Sequence, residues 1–248
     1  MRISYTRSWT AISFSLFIAT NSVARSDEKP VLIQTAAKTE AVAKPGSARK
    51  SVEVRDFEVR VDKRLVGTHR LTTTTDGDTQ EATLQTDVRV SVIVYTYVFK
   101  SRGTEVWRGN RLQSSDVQCE DGGKKRSMTL KTGGGAQEIT FDGKSIPAAS
   151  PGLMTTAYWR LPPADAISKP MAIINVDTGT THSATLVEVG AASVTAEGRA
   201  ITCRQFRIDG PSPAELWFDD RDRLVRQTSI EQGHSMELRL KQIRDSDH

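Results

Sequence analysis

From Ser51 onward the sequence alternates with a period of two, and this constrains the fold more than any other feature. Phe57, Val59 and Val61 are separated by Glu58, Arg60 and Asp62, which places the three apolar side chains on one face of an extended strand. Val52 and Val54 are out of phase with them, so a β-bulge is expected near Arg55 and Asp56. Residues 65–75 form a second strand pattern that runs into Asp76-Gly77-Asp78. An Asp-Gly turn between alternating segments is a strong local signal for a hairpin.

The pattern continues through most of the chain. Residues 79–100 read as one very long strand, apolar on both faces from Val92 to Phe99, so a bend and an outer covering are expected there. Residues 105–118, 125–131 and 137–141 follow, punctuated by Asp121-Gly122-Gly123 and Gly133-Gly134-Gly135. Further strand patterns cover 181–189, 192–197, 200–208, 215–218, 224–231 and 235–243, and in the last of these His234, Met236, Leu238 and Leu240 share a face. Two short helices are expected, one over 153–161 stopped by Pro162-Pro163 and one over 164–168 before Pro170. Ten or so short antiparallel strands joined by polar turns indicate an antiparallel β-barrel or a strongly curved half-barrel, with a two-sheet β-sandwich as the alternative.

The first fifty residues have a different texture. Arg2 and Arg7 precede an apolar run from Trp9 to Thr20, which is too short to span a bilayer, and Ser22-Val23-Ala24 supplies small residues before a cleavage point. Residues 1–24 are therefore expected to be a signal peptide, and the protein to be periplasmic or secreted with no transmembrane anchor in the mature chain. Residues 25–50 lack aromatics and are rich in Ala, Lys, Thr and Pro, the composition of a flexible linker. Residues 51–248 are left for a single β-barrel-like domain. Thirty-four Lys and Arg stand against 30 Asp and Glu, spread along the chain. So small an excess is not the footprint of a nucleic-acid-binding surface.

Several stretches resemble an exported bacterial family known as a domain of unknown function. They are the opening hairpin from Phe57 to Asp62 with Val66 to Arg70, then Val106-Trp107-Arg108-Gly109, Ala157-Tyr158-Trp159, Asp177-Thr178-Gly179 and Leu216-Trp217-Phe218-Asp219. The resemblance runs in order over residues 53–241. Lys63 stands where that family usually has a hairpin glycine, and Leu71 where it tends to have an aromatic. The resemblance implies a β-rich periplasmic protein and carries no activity.

Candidate chemistry is sparse. Four histidines occur, at positions 69, 182, 234 and 248, with no HxH or HExxH spacing for a metal. By alternation His69 and His234 point into the cup of the curved sheet, either as hydrogen-bonded core-edge residues or, with a nearby carboxylate, as a proton-transfer site. No nucleophile elbow, Walker loop or dinucleotide fingerprint is present, and Thr132-Gly133-Gly134-Gly135-Ala136 reads as a hairpin loop. Neither a cofactor nor a metal is implied.

The grouped aromatics Tyr95, Tyr97, Trp107, Tyr158, Trp159 and Trp217 are either core or, with His69 and His234, the lining for a small apolar or amphipathic ligand. That ligand would need a cavity of roughly several hundred Å3, reached from the Tyr158-Trp159 segment. Cys119 and Cys203 could form a disulfide worth about 4–5 kcal/mol in the entropic account. The basic run Lys124-Lys125-Arg126 is a solvated turn or a contact for anionic head groups. Three functions stay open: a binding protein, an enzyme using His69 or His234, and an envelope interaction protein that reaches a partner with its linker.

Overall fold

The alternating segments pair with their neighbours in the chain. In the computed structural model, which describes residues 50–92, 95–134, 136–147, 152–231 and 233–247, the first eight strands are β1 (Ser51–Val61), β2 (Arg64–Asp76), β3 (Thr79–Val92), β4 (Tyr95–Arg108), β5 (Arg111–Asp121), β6 (Lys124–Gly133), β7 (Ala136–Phe141) and β8 (Lys144–Ile146). They are followed by β9 (Met154–Thr155), β10 (Pro170–Ile174), β11 (Thr181–Ala196), β12 (Arg199–Asp209), β13 (Ala214–Phe218), β14 (Leu224–Glu231) and β15 (His234–Asp247). The expected leader and the linker up to residue 49 lie outside the described residues.

All fifteen strands form one sheet in the order β8-β7-β6-β5-β4-β3-β2-β1-β15-β14-β13-β12-β11-β10-β9. Pairing of β1 with β15 joins two meanders into an open, strongly curved sheet whose edges are β8 and β9. The curved half-barrel is thus the fold, and the two-sheet sandwich is not. One contiguous core runs from Phe57 and Leu71 through Met128, Leu130 and Ile139 to Ile173, Phe206, Phe218 and Leu240.

Two expected strands are each a piece of hairpin. Residues 79–100 divide between β3 and β4, with 93–94 outside the described residues, and Gly109-Asn110 turns β4 into β5. Gly109 adopts φ +53° there, which glycine does without a Cβ penalty. The expected bulge in β1 is also relocated. β1 keeps its alternation, and the inward positions before Phe57 are Arg55 and Glu53 rather than valines. The irregularity sits on β15, where Asp56 faces Gln242 and Phe57 faces Leu240, leaving Lys241 as the extra residue.

A buried guanidinium needs a partner, since burial alone makes it costly. Arg55 lies 2.6 Å from Glu53 Oε1, and Arg223 bridges Glu53 at 3.3 Å to Asp219, to which its Nε donates at 2.8 Å. Asp219 also accepts the backbone N–H groups of Arg221 and Arg223, so the β13–β14 turn is tied to β1.

The segment between β8 and β10 is not helical over 153–161. Leu153 is buried, Met154 and Thr155 pair in parallel with Ile173 and Ile174, and Tyr158 takes φ +46°, which no helix accommodates. The second expected helix is present as a single 3-10 turn at Ala164–Ala166.

Candidate functional site

The chain after β9 crosses the sheet and locks onto β4. Glu105 shares a cross-strand rung with Ala82 and Ser115, all three buried. Its Oε2 accepts the indole N–H of Trp107 at 3.0 Å and that of Trp159 at 2.7 Å. Arg160 stacks its guanidinium 4.5 Å from the Trp107 ring and donates to Gly109 O and Asn110 Oδ1. A buried carboxylate held by two N–H groups is a strong, directional tie, so the Ala157-Tyr158-Trp159 segment is a plug.

This packing overturns the apolar cup. The void beside Tyr158, lined by Met154, Arg160, Leu161, Ile173 and Leu216 among others, is about 10 Å3, room for at most about one water. Trp107, Tyr158, Trp159 and Trp217 are buried in the core, and the void beside Tyr158 is far smaller than the expected cavity. Burial pushes the Tyr158 phenol up to about 12. Trp217 is capped by Arg226, 4.6 Å from its ring, whose Nε donates to Glu237. Tyr97 donates its hydroxyl to Asp121 Oδ1 at 2.6 Å near the end of the hairpin. Tyr95 pairs its backbone with Val92, and its side chain lies outside the described set.

The two histidines occupy different environments. His69 does face inward, against Phe57 with ring centroids 5.6 Å apart, and shares a 2.8 Å hydrogen bond with Thr86 Oγ1. Burial and the nearby Arg55 charge push its pKa down to about 4, so the ring is neutral. No carboxylate contacts it among the described residues. His234 lies 2.7 Å from Asp62 Oδ2, but both side chains are about half exposed at a hairpin end. Its inward placement is corrected: the phase of β15 is right, and the strand simply extends beyond the core at that end. Asp62 also accepts the Ser235 N–H, so the pair fastens two turns together and lines no cleft. Neither histidine meets the condition for a proton-transfer site, an acid partner inside a cleft.

Cys119 on β5 and Cys203 on β12 are buried free thiols, and the disulfide is not formed. Burial pushes both up to about 11, far from a reactive thiolate.

Sequence reasoning did not single out a recess on the first half of the sheet. An open depression of about 400 Å3 lies over β4, β5 and β6 near the β7–β8 turn. Lys100, Glu120 and Lys125 form one rung there, and Arg102, Gln118 and Ser127 the next but one, so all six share a face. The depression holds the cations Lys100, Arg102, Lys125 and Arg126 against Glu120 and Asp142, and of these Arg126 is paired with Asp142 at 3.5 Å. The Lys124-Lys125-Arg126 run was the available signal, but its cross-strand neighbours are invisible in one dimension.

Among the described residues no helix is long and apolar enough to cross a membrane. No curated protein matches the sequence. The structure is similar to a solved β-barrel-like protein of the domain of unknown function DUF1849 from Brucella abortus, with a TM-score of 0.57 and 10% identity over 82% of this chain and 100% of that chain. At that identity the likeness shows the fold alone. Residues 57–241 match the family described as a domain of unknown function, DUF6134, and the chain belongs to that family.

Proposed function

We propose that this is an exported binding protein whose ligand surface is the depression over β4–β6, built for a small molecule or head group that carries negative charge. The observation behind it is the meeting of Lys100 and Arg102 of β4 with Lys125 of β6 on one face, with no ion pair at any of the three among the described residues. Glu120 stands between Lys100 and Lys125 on the same rung, but the three cations outnumber it on that face, and such an excess raises the local concentration of anions and supplies several donors at once. Gln118 and Ser127 add neutral hydrogen-bonding groups on the same face. Export rests on the leader pattern of residues 1–24.

Native mass spectrometry of the protein purified from the cell envelope fraction, without refolding, tests the reading. The expected result is a co-purifying anionic species that is lost in the triple variant K100Q/R102Q/K125Q. In titrations of the stripped protein, inorganic pyrophosphate and vesicles containing phosphatidylglycerol distinguish a soluble anion from a lipid head group. Wild-type binding that equals the triple variant's with both probes would overturn the proposal.

A further inference from the structure

The two ends of the sheet also meet at a second point, apart from the Trp159 plug. The loop 175–180 between β10 and β11 packs on Phe141 of β7 so closely that a Cβ on Gly179 would lie 2.6 Å from the ring. β7 is next to one edge of the sheet and β10 next to the other, so this contact brings the two ends together without backbone pairing. The loop is internally stiff. Asn175 Oδ1 accepts the N–H groups of Asp177 and Thr178, Gly179 N donates to Asn175 O, and Asn175 N donates to Thr180 O.

Within this stiff loop one carboxyl group is badly placed to be ionised. Asp177 Oδ1 is buried with no hydrogen-bond partner. The groups that act on it are Glu231 at the end of β14 and Asp121 at the end of β5, both carboxylates, and no cation is among them. Its charge in turn bears on the Cys119 thiol, which also feels Asp121, Arg126 from β6 and Asp142 from the β7–β8 turn.

We propose that the loop 175–180 is a proton-sensitive clamp on the seam, seated when Asp177 carries a proton and loosened when it is ionised. Asp177 Oδ1 is buried without a hydrogen-bond partner, Glu231 and Asp121 of two other elements act on it as like charges, and the loop bridges the two sheet ends through the tight approach of Gly179 to Phe141. Burial first, and then Glu231 and Asp121, raise the Asp177 pKa to about 6 in the seated loop. A carboxylate in the freed loop titrates near ~3.9. Clamping is therefore strongest below that value, weakens as pH rises toward 6, and levels off above it.

Hydrogen exchange of the folded protein between pH 4 and 7, corrected for intrinsic exchange, tests the clamp. Protection across residues 175–180 and 138–141 is expected to fall about tenfold per pH unit between the two pKa values, roughly 100-fold in all. Asp177→Asn removes this dependence, and Glu231→Gln, which leaves the loop itself intact, shrinks it. A wild-type profile that is flat with pH, or a dependence that survives either substitution in full, overturns the clamp.

Discussion

Glu105 and Trp159, 54 residues apart in sequence, are joined by a 2.7 Å hydrogen bond inside the curved sheet. With Trp107 on the same oxygen, Glu105 converts an apolar segment into a plug with one defined position. The carboxylate leaves water, and the two indole N–H groups offset part of that cost.

Trp159→Phe keeps most of the apolar surface and deletes one of the two donors. Urea unfolding should show a loss of about 2–3 kcal/mol, the range for a buried hydrogen bond to a charged group plus a small volume defect. Glu105→Gln should cost less alone and couple strongly to Trp159→Phe in a double-mutant cycle. A Trp159→Phe stability within about 0.5 kcal/mol of wild type would mean that packing, not the carboxylate, seats the plug.

Lys63 carries a conformational cost that glycine would remove. The β1–β2 turn places Asp62 at φ 47° and Lys63 at φ 69°, the left-handed pair of a two-residue hairpin turn. A non-glycine residue pays about 1–2 kcal/mol for that region, and glycine returns part of the gain through its freer unfolded chain. Lys63→Gly is expected to stabilise by about 0.5–1 kcal/mol, read as a rise in thermal midpoint. A lower midpoint would show that the lysine makes a compensating contact.

Much of this fold was legible because alternation reports phase. Phe57, Val59, Leu71 and Leu240 all face the core as their spacing requires. Phase does not report depth, which is why His234 falls on the expected side of β15 yet sits in solvent. It also misses the hairpin of β3 and β4, because the apolar stretch from Val92 to Phe99 reads as one continuous strand. The segment 153–161 failed for a different reason. Its apolar residues are spaced compatibly with a helix, but the partner that fixes Trp159 is a carboxylate on β4, and long-range anchoring overrides local pattern. The depression over β4–β6 was illegible because its residues come from three strands whose register only the folded sheet reveals.

His69 should make stability depend on acid in a specific direction. Its folded-state pKa, about 4, lies below the ordinary value of 6.5. The stability contributed by the neutral ring is complete above pH 6.5 and is lost as pH falls from there toward 4, on the order of 3 kcal/mol in all. His69→Gln, which can still bond Thr86, should flatten this limb of the stability profile. The Asp177 clamp changes in the opposite sense over an overlapping range, so the two single variants should tilt the profile in opposite directions. Parallel profiles for wild type and His69→Gln would show that the ring is not protonated on unfolding in this range.

The Gly179–Phe141 contact offers the sharpest test of how the open sheet holds its edges together. Gly179 has φ +68°, and an added Cβ would meet Phe141 Cγ at 2.6 Å, so Gly179→Ala faces both backbone strain and a clash with the ring. A loss of about 2–3 kcal/mol is expected. The two penalties separate through Phe141→Ala, which removes the ring and leaves the backbone requirement in place. If the clash dominates, Gly179→Ala should cost at least about 1 kcal/mol less in the Phe141→Ala background than in wild type. If the two losses simply add, the left-handed backbone alone demands the glycine, and the close approach to Phe141 is a consequence of the seam rather than what holds it.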